Sequence, residues 1–484
     1  AIPEGAPVAL GSVKAQIGHT KAAAGAAGLI KAALALEHKV IAPTIKVERP
    51  HPRVVGSPFY LPREAAPWIA GETPRRAAVS SFGFGGSNFH AVLEEYGRGR
   101  RAPAWDGRVQ ILAASAETPA ELESWLEALS KAEDLPAFAA GSRERFRPEA
   151  AHRLVLVHER GDDLGRLVVR ARERLQKGPG SAPGIHYGTG RPEGKVAFLF
   201  PGQGAQSIGM LRGLANVFPE ALEALEAKPE VARRIHPPST FDPEERKAQE
   251  AALTRTDRAQ PALGLVEWGA LRVLERFGVK AELFAGHSYG ELVALAAAGV
   301  FGEKELFLAS ELRGKRMGAN GKDLGTMLAV FAPRETLEAF LEAEGLELVL
   351  ANHNGPTQSV LSGSREAIEK AKEALTTRGI PTRALQVGAA FHSPLVAGAA
   401  EAFLQDLEAI DFAPARGTVI ANSTAAPYPA EAETARKLLA EQLARPVRFV
   451  DVVERLHAEG ARTFVEVGPR ATLTGLDASS IGNR

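Results

Sequence analysis

The sequence contains no cysteine, and this absence excludes several kinds of chemistry. Without a thiol, the 484-residue chain forms no disulfide, offers no thiolate nucleophile and builds no zinc–thiolate or iron–sulfur site. An excess of charge of one sign is missing too, because 58 Lys and Arg residues balance 58 Asp and Glu residues. A balanced chain gives no electrostatic reason to expect nucleic acid or an anionic membrane as a partner.

Long hydrophobic runs are also absent. The longest purely apolar stretch, Leu292–Phe301, falls well short of the ~18–20 residues that cross a bilayer, so no membrane helix is predicted. Ala1–Leu10 has neither the basic start nor the apolar core of a signal peptide, and a cytoplasmic setting fits.

Since the chain does not begin with Met and enters patterned sequence at once, we expect a piece of a longer protein. Its length and its 45% hydrophobic content indicate about three globular domains.

Three zones are predicted, at residues 1–96, 97–190 and 191–484. The first has a helical pattern at Lys21–His38 and a strand, a Gly-rich loop and a strand at Ala78–Glu95. The second opens with a basic run, Gly97–Arg101, which we interpret as a solvated linker rather than a nucleic-acid site. It continues as a small α/β unit of two strand–helix pairs and ends in a turn-rich stretch; the predicted elements are Val109–Ala114, Pro119–Ala132, Arg153–Val157, Asp163–Lys177 and the turns of Gly178–Gly194.

The third zone alternates strands and helices, which favours an α/β domain with a parallel sheet. Lys195–Phe200 and Leu283–Gly286 have the composition of buried strands. Within the zone, about residues 326–388 show the order strand, helix, strand, strand, helix, strand. This order predicts a ferredoxin-like subdomain inserted into the larger domain.

The strongest chemical signal is Gly286-His287-Ser288-Tyr289-Gly290, between an apolar strand and a helix. In this context a G-x-S-x-G motif predicts a sharp turn that exposes the serine hydroxyl, with the next backbone N–H able to bind an oxyanion. The alternative is an ordinary helix start with Ser288 as the N-cap. No acid stands in an obvious third position, so a Ser–His dyad oriented by backbone carbonyls would serve.

Three further residues fit that chemistry without proving it. His392, in a loop after an apolar stretch, is a reasonable general base, although a lone histidine is more often structural. Gln203 follows a strand in a Gly-rich turn that either supplies a second oxyanion donor or is a plain turn. Arg313 has the guanidinium suited to two-point binding of a carboxylate, although by itself it is more often a surface residue.

Six motifs in this order resemble the acyltransferase domain of fatty acid and polyketide synthases: Pro201–Gln206, Gly286–Gly290, Arg313, Phe391–Pro394, Gln442–Phe449 and Val465–Pro469. The resemblance implies an α/β-hydrolase-like core with a parallel sheet and an inserted ferredoxin-like subdomain. It also implies a malonyl-CoA:acyl-carrier-protein transacylase working by ping-pong transfer through an acyl-serine. Malonyl-CoA would be the substrate, the phosphopantetheine arm of an acyl carrier protein the acceptor, and no cofactor or metal would be bound tightly.

Carried over by position, the resemblance gives roles to several residues. Ser288 would be the acylated nucleophile and His392 its base, oriented by the main-chain carbonyl of Gln442. The amides of Gln203 and Tyr289 would form the oxyanion hole, and Arg313 would bind the free carboxylate of malonyl. Phe391, His287 and Met317 would set selectivity; Phe391 favours malonyl, while Ala389 departs from the His usual in modular malonyl enzymes.

Residues 1–96 resemble the C-terminal part of a ketosynthase, through Gly11–Thr20 and Ser80–Asn88. Lys14, His19 and Phe84 would belong to the condensing site of a partial, thiolase-like piece. Because the family's catalytic cysteine is absent, no ketosynthase activity is expected, and the rest of the ketosynthase and other synthase domains would be partners. Residues 97–190 stand where the family has its ketosynthase-to-acyltransferase linker.

The sequences of three segments, Gly18–Lys31, Phe82–Tyr96 and Ala390–Val396, most resemble those of polyunsaturated-fatty-acid synthases and enediyne-type iterative synthases. Two other functions stay open at the level of sequence. A serine hydrolase or thioesterase would share Ser288 and His392 but would gain nothing from Arg313. A non-catalytic scaffold segment would need none of the three residues.

Overall fold

The chain alternates helices and strands over most of its length. The structure, a computed structural model, describes residues 7–97, 102–104, 106–190, 193–318, 325–385 and 387–481. The start of the chain and nearly all of the basic run at Gly97–Arg101 lie outside these residues. Tertiary contacts divide the chain into two units, residues 104–193 and residues 1–103 together with 194–484. Within the described ranges, no helix combines the length and the apolar composition that a bilayer crossing requires.

The N-terminal segment places a helix on a β-hairpin. Its elements are β1 (Val8–Ala9), α1 (Lys14–Ile17), α2 (Ala24–His38), β2 (Val40–Ile41), β3 (Phe59–Tyr60), β4 (Ala66–Pro67), β5 (Arg76–Phe82) and β6 (Asn88–Glu94). β5 and β6 pair antiparallel, which confirms the predicted strand, loop and strand. One face of the hairpin packs on α2, whereas the other carries Phe82 and Val92, which are 72% and 65% exposed.

A buried ion cluster ties this segment to the following large domain. Arg75 donates to Glu95 at 2.6 Å and also pairs with Glu226, while Lys39 lies 3.0 Å from Glu95. The side chains of Arg75 and Glu95 are each 1% exposed. The backbone N–H of Ala70 also donates to Glu226, at 2.9 Å. The cost of burying each charge is therefore offset by the opposite charges beside it in the cluster.

We expect Arg75→Met to lower the free energy of unfolding by about 3 kcal/mol, because removing one partner of a buried ion pair leaves an uncompensated charge. The shift in the urea midpoint measures the effect. The matched control is Arg76→Met, since the neighbouring Arg76 pairs with Glu94 at a site where both side chains are about half exposed. An exposed pair contributes about 0–1 kcal/mol. Equal shifts for the two variants would contradict the prediction.

The unit at residues 104–193 is an antiparallel sheet covered by helices. Its elements are β7 (Val109–Ala116), α3 (Pro119–Ser130), α4 (Leu135–Glu144), β8 (His152–Glu159), α5 (Leu164–Lys177), β9 (Gly180–Ala182) and β10 (Ile185–Thr189), with strand order β7-β8-β10-β9. Leu112, Leu122, Leu126, Leu154 and Leu156 form its core with no exposed surface.

Two features of this unit differ from the sequence prediction. The turn-rich assignment of Gly178–Gly194 is wrong for β9 and β10, which form a hairpin. Ile185 and Tyr187 are buried there and His186 between them is exposed, an alternation that the surrounding Gly and Pro residues concealed. Helix α4 was not predicted, although Asp134 caps it by accepting from the N–H of Ala137 at 3.0 Å.

The large domain is built on a four-stranded parallel sheet. Its elements before the insertion are β11 (Lys195–Phe200), α6 (Arg212–Val217), α7 (Pro219–Glu226), α8 (Pro229–Ile235), α9 (Pro243–Thr254), α10 (Thr256–Arg276), β12 (Leu283–Gly286), α11 (Gly290–Ala297) and α12 (Glu303–Gly318). Those of the insertion are β13 (Thr326–Val330), α13 (Arg334–Glu344), β14 (Leu348–Gly355), β15 (Gln358–Gly363), α14 (Arg365–Thr377) and β16 (Thr382–Ala384). Those after it are α15 (Ala397–Leu407), β17 (Thr418–Val419), α16 (Ala432–Glu441), α17 (Phe449–Ala458), β18 (Ala461–Glu466) and α18 (Thr472–Ile481).

The parallel sheet brings four strand ends to one edge. The strand order is β17-β12-β11-β18, and every neighbouring pair is parallel. The loops that follow these strands therefore meet at the same edge, where ligand sites of open α/β sheets lie. Ser288 follows β12, Gln203 follows β11 and Asn422 follows β17.

The insertion is the predicted ferredoxin-like subdomain. Its sheet has the order β14-β15-β13-β16, and all neighbouring strands are antiparallel. Helices α13 and α14 pack on one face around Leu328, Leu337, Phe340, Leu361 and Leu375. The opposite face, with Met327, Ala329 and Val360, joins the core of the large domain. This second face becomes a wall of the site described next.

Candidate active site

Ser288 occupies a tight turn between β12 and α11. Its backbone is left-handed, with φ of 52°, a conformation that costs an L-residue energy and that recurs where a nucleophile is pushed out of a strand–helix turn. The turn fits only without a side chain at Gly290, where a Cβ would lie 2.0 Å from the carbonyl oxygen of Phe200. The turn thus presents the hydroxyl at the carboxyl edge of the sheet.

His392 lies opposite this hydroxyl. Its Nε2 is 2.8 Å from Ser288 Oγ, while its Nδ1 is 3.0 Å from the carbonyl oxygen of Gln442 and 3.1 Å from that of Arg445. Because both Nδ1 partners are acceptors, Nδ1 carries the proton. The lone pair of Nε2 then faces Ser288, which is the tautomer that can accept the hydroxyl proton.

Burial keeps this imidazole neutral. His392 is 3% exposed, and desolvation, aided by the nearby Arg313 charge, lowers the pKa of His392 to about 3. The residue is itself left-handed, with φ of 58°, and its N–H donates to the carbonyl of Leu443 at 3.0 Å. The histidine is therefore held by the segment at 442–445, with backbone oxygens in the place of a triad acid.

The side chain of Gln442 connects the serine to Arg313. Its Nε2 donates to the carbonyl of Ser288 at 2.8 Å, and its Oε1 accepts from Nη2 of Arg313 at 3.0 Å. Gln442 is completely buried. Gln442 thus contacts His392 through its backbone carbonyl, and its side chain contacts both the Ser288 backbone and the Arg313 guanidinium.

Arg313 is a buried cation with spare hydrogen-bonding capacity. It is 1% exposed, and its Nη1 is buried without a partner among the residues that the structure describes. Desolvation lowers the pKa of Arg313 to about 10, so the group stays charged at neutral pH. The guanidinium carbon lies 5.9 Å from the centre of the Tyr289 ring. A buried, unpaired charge is costly, and an anion bound beside it would offset that cost.

A cavity of about 260 Å³ opens beside the dyad. Ser288 and His392 line it together with the three residues that the resemblance linked to selectivity, which are Phe391, His287 and Met317. The ferredoxin-like sheet supplies another wall through Met327, Ala329 and Val360. Neither Arg313 nor Gln442 is among the lining residues, and Arg313 is connected to the Ser288 backbone through the side chain of Gln442.

His287 joins the two parts of the domain. Its Nε2 is 2.7 Å from Oδ1 of Asn354 on β14, and its ring lies edge-on to Phe449 with centroids 5.3 Å apart. Burial lowers the pKa of His287, so that a neutral ring donates to Asn354. The turn that carries Ser288 is thereby bonded to the inserted subdomain.

The two residues predicted for the oxyanion hole differ in their relation to the cavity. Gln203 lines the cavity from the loop after β11, and its side chain donates to Oγ1 of Thr256 at 3.2 Å. Tyr289 immediately precedes α11, and its side chain is fully buried. Its hydroxyl lies 2.6 Å from Oγ of Ser310.

We expect Gly264→Ala to destabilise the protein by about 1–3 kcal/mol, the usual cost of overpacking. A Cβ there would lie 2.4 Å from the Tyr289 hydroxyl oxygen and 2.9 Å from Ser310 Oγ. The urea midpoint measures the effect, and adding Tyr289→Phe should restore part of it by removing the clashing oxygen. Gly213→Ala is the control, because nothing lies within 4 Å of a Cβ there. A Gly264→Ala protein as stable as the parent would contradict the prediction.

Sequence reasoning missed a buried network behind the serine. Asn422 accepts from the N–H of Ser288 at 2.7 Å, and its own N–H donates to Glu291 at 2.7 Å. Tyr428 donates to the other carboxylate oxygen of Glu291. The available signal was positional, since Asn422 is a polar residue just after a strand next to the serine strand.

The residues linked to a condensing site lie apart from this centre. Lys14 and His19 are exposed in the N-terminal segment, and Phe84 is fully exposed at the tip of the β5–β6 hairpin. None of the three lines the cavity. Over the described part of the chain, no cluster of three or more His, Asp or Glu side chains is placed to hold a metal ion.

Three known family models match parts of this chain. The family model described as acyl transferase domain matches residues 197–479, more than half of the chain. Models of the beta-ketoacyl synthase C-terminal domain and of the ketoacyl-synthetase C-terminal extension match residues 2–48 and 50–154. The chain belongs to the acyl transferase family and carries an acyltransferase domain of the polyketide synthase type.

Individual relatives extend this result. The spectinabilin polyketide synthase system protein NorB of Streptomyces orinoci is 36% identical over 98% of this chain, which spans 22% of NorB. The solved acyltransferase domain of an iterative polyketide synthase in enediyne biosynthesis is 26% identical, with a TM-score of 0.60, over 78% of this chain and 89% of that one. A malonyl CoA-acyl carrier protein transacylase from Clostridium perfringens is 30% identical, with a TM-score of 0.54, over 60% and 91%.

Proposed function

We propose that this chain transfers a malonyl group from malonyl-CoA, through an ester on Ser288, to the phosphopantetheine thiol of an acyl carrier protein. The observation that carries the proposal is the 2.8 Å contact between Ser288 Oγ and His392 Nε2. Gln442 links the Ser288 backbone to Arg313, whose buried Nη1 has no partner in the described part of the chain. The dyad suits acyl transfer, and the buried cation suits an acyl group that ends in a carboxylate.

In the first half-reaction Nε2 of His392 takes the proton of Ser288, and Oγ attacks the thioester carbonyl carbon. The amides of Gln203 and Tyr289 donate to the oxyanion of the tetrahedral intermediate. As the C–S bond breaks, the imidazolium returns its proton to the sulfur and coenzyme A leaves. The carbonyls of Gln442 and Arg445 hold Nδ1–H throughout, so that the ring keeps its orientation.

The second half-reaction runs the same steps with a different thiol. His392 takes the proton of the phosphopantetheine thiol, and the sulfur attacks the malonyl-serine ester. The C–O bond to Ser288 breaks, and the serine oxygen recovers its proton from the imidazolium. No tightly bound cofactor or metal enters this scheme, which is ping-pong because the enzyme holds the acyl group between two substrates.

Malonyl selectivity is proposed on two features. Arg313 would bind the free carboxylate: its Nη1 is buried and has no partner among the described residues, while Nη2 is held by Gln442. Phe391 is 6% exposed and lines the cavity beside the dyad, where its ring limits the space at the α-carbon of the acyl group. His287 and Met317 line the same cavity and complete the group of proposed selectivity residues.

The proposed organisation is a ketosynthase C-terminal part at residues 1–96, a linker at 97–190 and the acyltransferase at 191–484, with the ferredoxin-like subdomain at about 326–388. The exposed side chains of Phe82 and Val92 on the β5–β6 hairpin support a further partner, the remainder of a ketosynthase. Lys14, His19 and Phe84 would then be part of a condensing site completed elsewhere. No condensation is expected from this cysteine-free chain.

Intact-mass analysis tests the proposal. The protein is incubated with malonyl-CoA, acetyl-CoA and methylmalonyl-CoA, and then with an acyl carrier protein that bears its phosphopantetheine arm. We expect a malonyl adduct on Ser288 that disappears when the carrier is added, with the malonyl group appearing on the carrier. Release of free malonate without carrier loading would instead indicate a hydrolase, and no adduct from any thioester would indicate a scaffold.

A further inference from the structure

The backbone of Ser288 is held from outside its own helix. Its N–H precedes the first turn of α11 and donates to Oδ1 of Asn422 at 2.7 Å. Its carbonyl accepts from the side chain of Gln442 at 2.8 Å. Because the residue is left-handed, with φ of 52°, these bonds compensate a conformation that is otherwise unfavourable for serine.

Asn422 binds both sides of the turn. While Oδ1 accepts from the N–H of Ser288, Nδ2 donates to the carbonyl of Gly286 at 2.6 Å. Asn422 has no exposed surface. A single amide thus joins the last residue of β12 to the nucleophile two positions later and fixes the distance between them.

The orientation of Asn422 is fixed in turn by Glu291. The N–H of Asn422 donates to one carboxylate oxygen of Glu291 at 2.7 Å, and Tyr428 donates to the other. Glu291 is fully buried on α11, three residues after Ser288. The serine turn, the start of its helix and the loop after β17 therefore form one closed set of hydrogen bonds.

We propose that Asn422 is a positioning residue that holds the Ser288 turn in its reactive conformation, oriented for this purpose by Glu291. Asn422 touches neither the hydroxyl nor the cavity; it acts through the backbone on both sides of the nucleophile. The inference rests on the proposed role of Ser288 as the acylated residue.

The first experiment replaces Asn422 with alanine and measures both the malonyl transfer rate and the rate at which phenylmethylsulfonyl fluoride labels Ser288. We expect kcat and the labelling rate to fall together, by about 10–100-fold, with KM for malonyl-CoA within twofold of the parent. The sulfonyl fluoride reports the reactivity of Ser288 without using Arg313 or the acyl subsite. A purely structural role would lower the unfolding midpoint without changing the labelling rate of folded protein.

The second experiment uses Asn422→Asp and a pH series. A protonated carboxylic acid has the shape of the amide, with a C=O to accept from Ser288 and an O–H to donate to Gly286. Burial and the nearby Glu291 carboxylate should raise the pKa of this aspartic acid above its ordinary value, as burial does for Glu291 itself. Its labelling rate relative to the parent should therefore rise as the pH falls from 8 to 6, a range in which His392, with a pKa of about 3, stays neutral.

Ser423→Ala is the matched control from the same loop, and it should label like the parent. If Asn422→Ala labels as fast as the parent, or Asn422→Asp shows no relative gain at low pH, the inference is overturned. If the parent itself does not label at Ser288, the proposed function fails instead. The two failures are therefore distinguishable.

Discussion

Ser288→Ala is expected to lower malonyl transfer by about 10⁴-fold or more, His392→Ala by a similar factor, and the double variant no further. The reason is that the two groups act as one unit, since the hydroxyl is a poor nucleophile unless Nε2, 2.8 Å away, removes its proton. Carrier loading with labelled malonyl-CoA measures the rate, and intact mass measures the adduct. The adduct should vanish in Ser288→Ala and form slowly in His392→Ala.

Ser393→Ala provides the control for this pair. The neighbouring Ser393 is also buried, but its hydroxyl donates to the carbonyl of Ala390 rather than facing the cavity. We expect Ser393→Ala to retain transfer within about tenfold of the parent. Multiplying effects in the double variant, or an adduct that persists in Ser288→Ala, would contradict the proposed dyad.

Arg313→Ala is expected to lower malonyl loading by about 10²–10³-fold while acetyl loading is unchanged or increased. This range is about 2.7–4.1 kcal/mol, since each tenfold is about 1.4 kcal/mol. It overlaps the about 3–5 kcal/mol lost when one member of a buried charge pair is removed, here the pair that Arg313 would form with the malonyl carboxylate. Acetyl has no carboxylate, so the cation gives it no stabilisation. Single-turnover loading from the two CoA thioesters measures the ratio.

The acetyl reaction also shows that Arg313→Ala is folded, because it needs an intact Ser288 and His392. Arg316→Ala is the control on the same helix, α12; its guanidinium pairs with Asp406 at 2.7 Å and is 40% exposed. We expect the malonyl-to-acetyl ratio of Arg316→Ala to match the parent. A parental ratio in Arg313→Ala would remove Arg313 from the carboxylate site.

Local pattern was enough to predict much of the fold. Buried strands such as β11 and β12 are short apolar runs, and the strand–helix order of the insertion specifies a ferredoxin-like sheet without knowledge of its packing. The β9–β10 hairpin was missed because its alternation is short and surrounded by glycine and proline. There, side-chain burial against the sheet outweighs the local preference for turns.

The residues of the site also fall into those that local sequence predicts and those that only tertiary structure reveals. The Ser288 turn carries its own local signature, whereas the pairing with His392, 104 positions later, depends on tertiary structure and became a prediction through resemblance. Asn422 was missed because nothing near it in sequence marks it; its role arises from the neighbouring positions of β12 and β17 in the sheet. The double role of Gln442 was half predicted, since its backbone contact was expected and its side-chain link to Arg313 was not.

The cavity has walls of two different origins. The parallel-sheet core and the segment at 442–445 hold Ser288, His392 and Arg313. Met327, Ala329 and Val360 come instead from one face of the inserted antiparallel sheet. Substitutions on that face are therefore expected to reshape the cavity without moving Ser288, His392 or Arg313. The acyl group that such a cavity accepts can then change while the residues proposed to form and break bonds keep their positions.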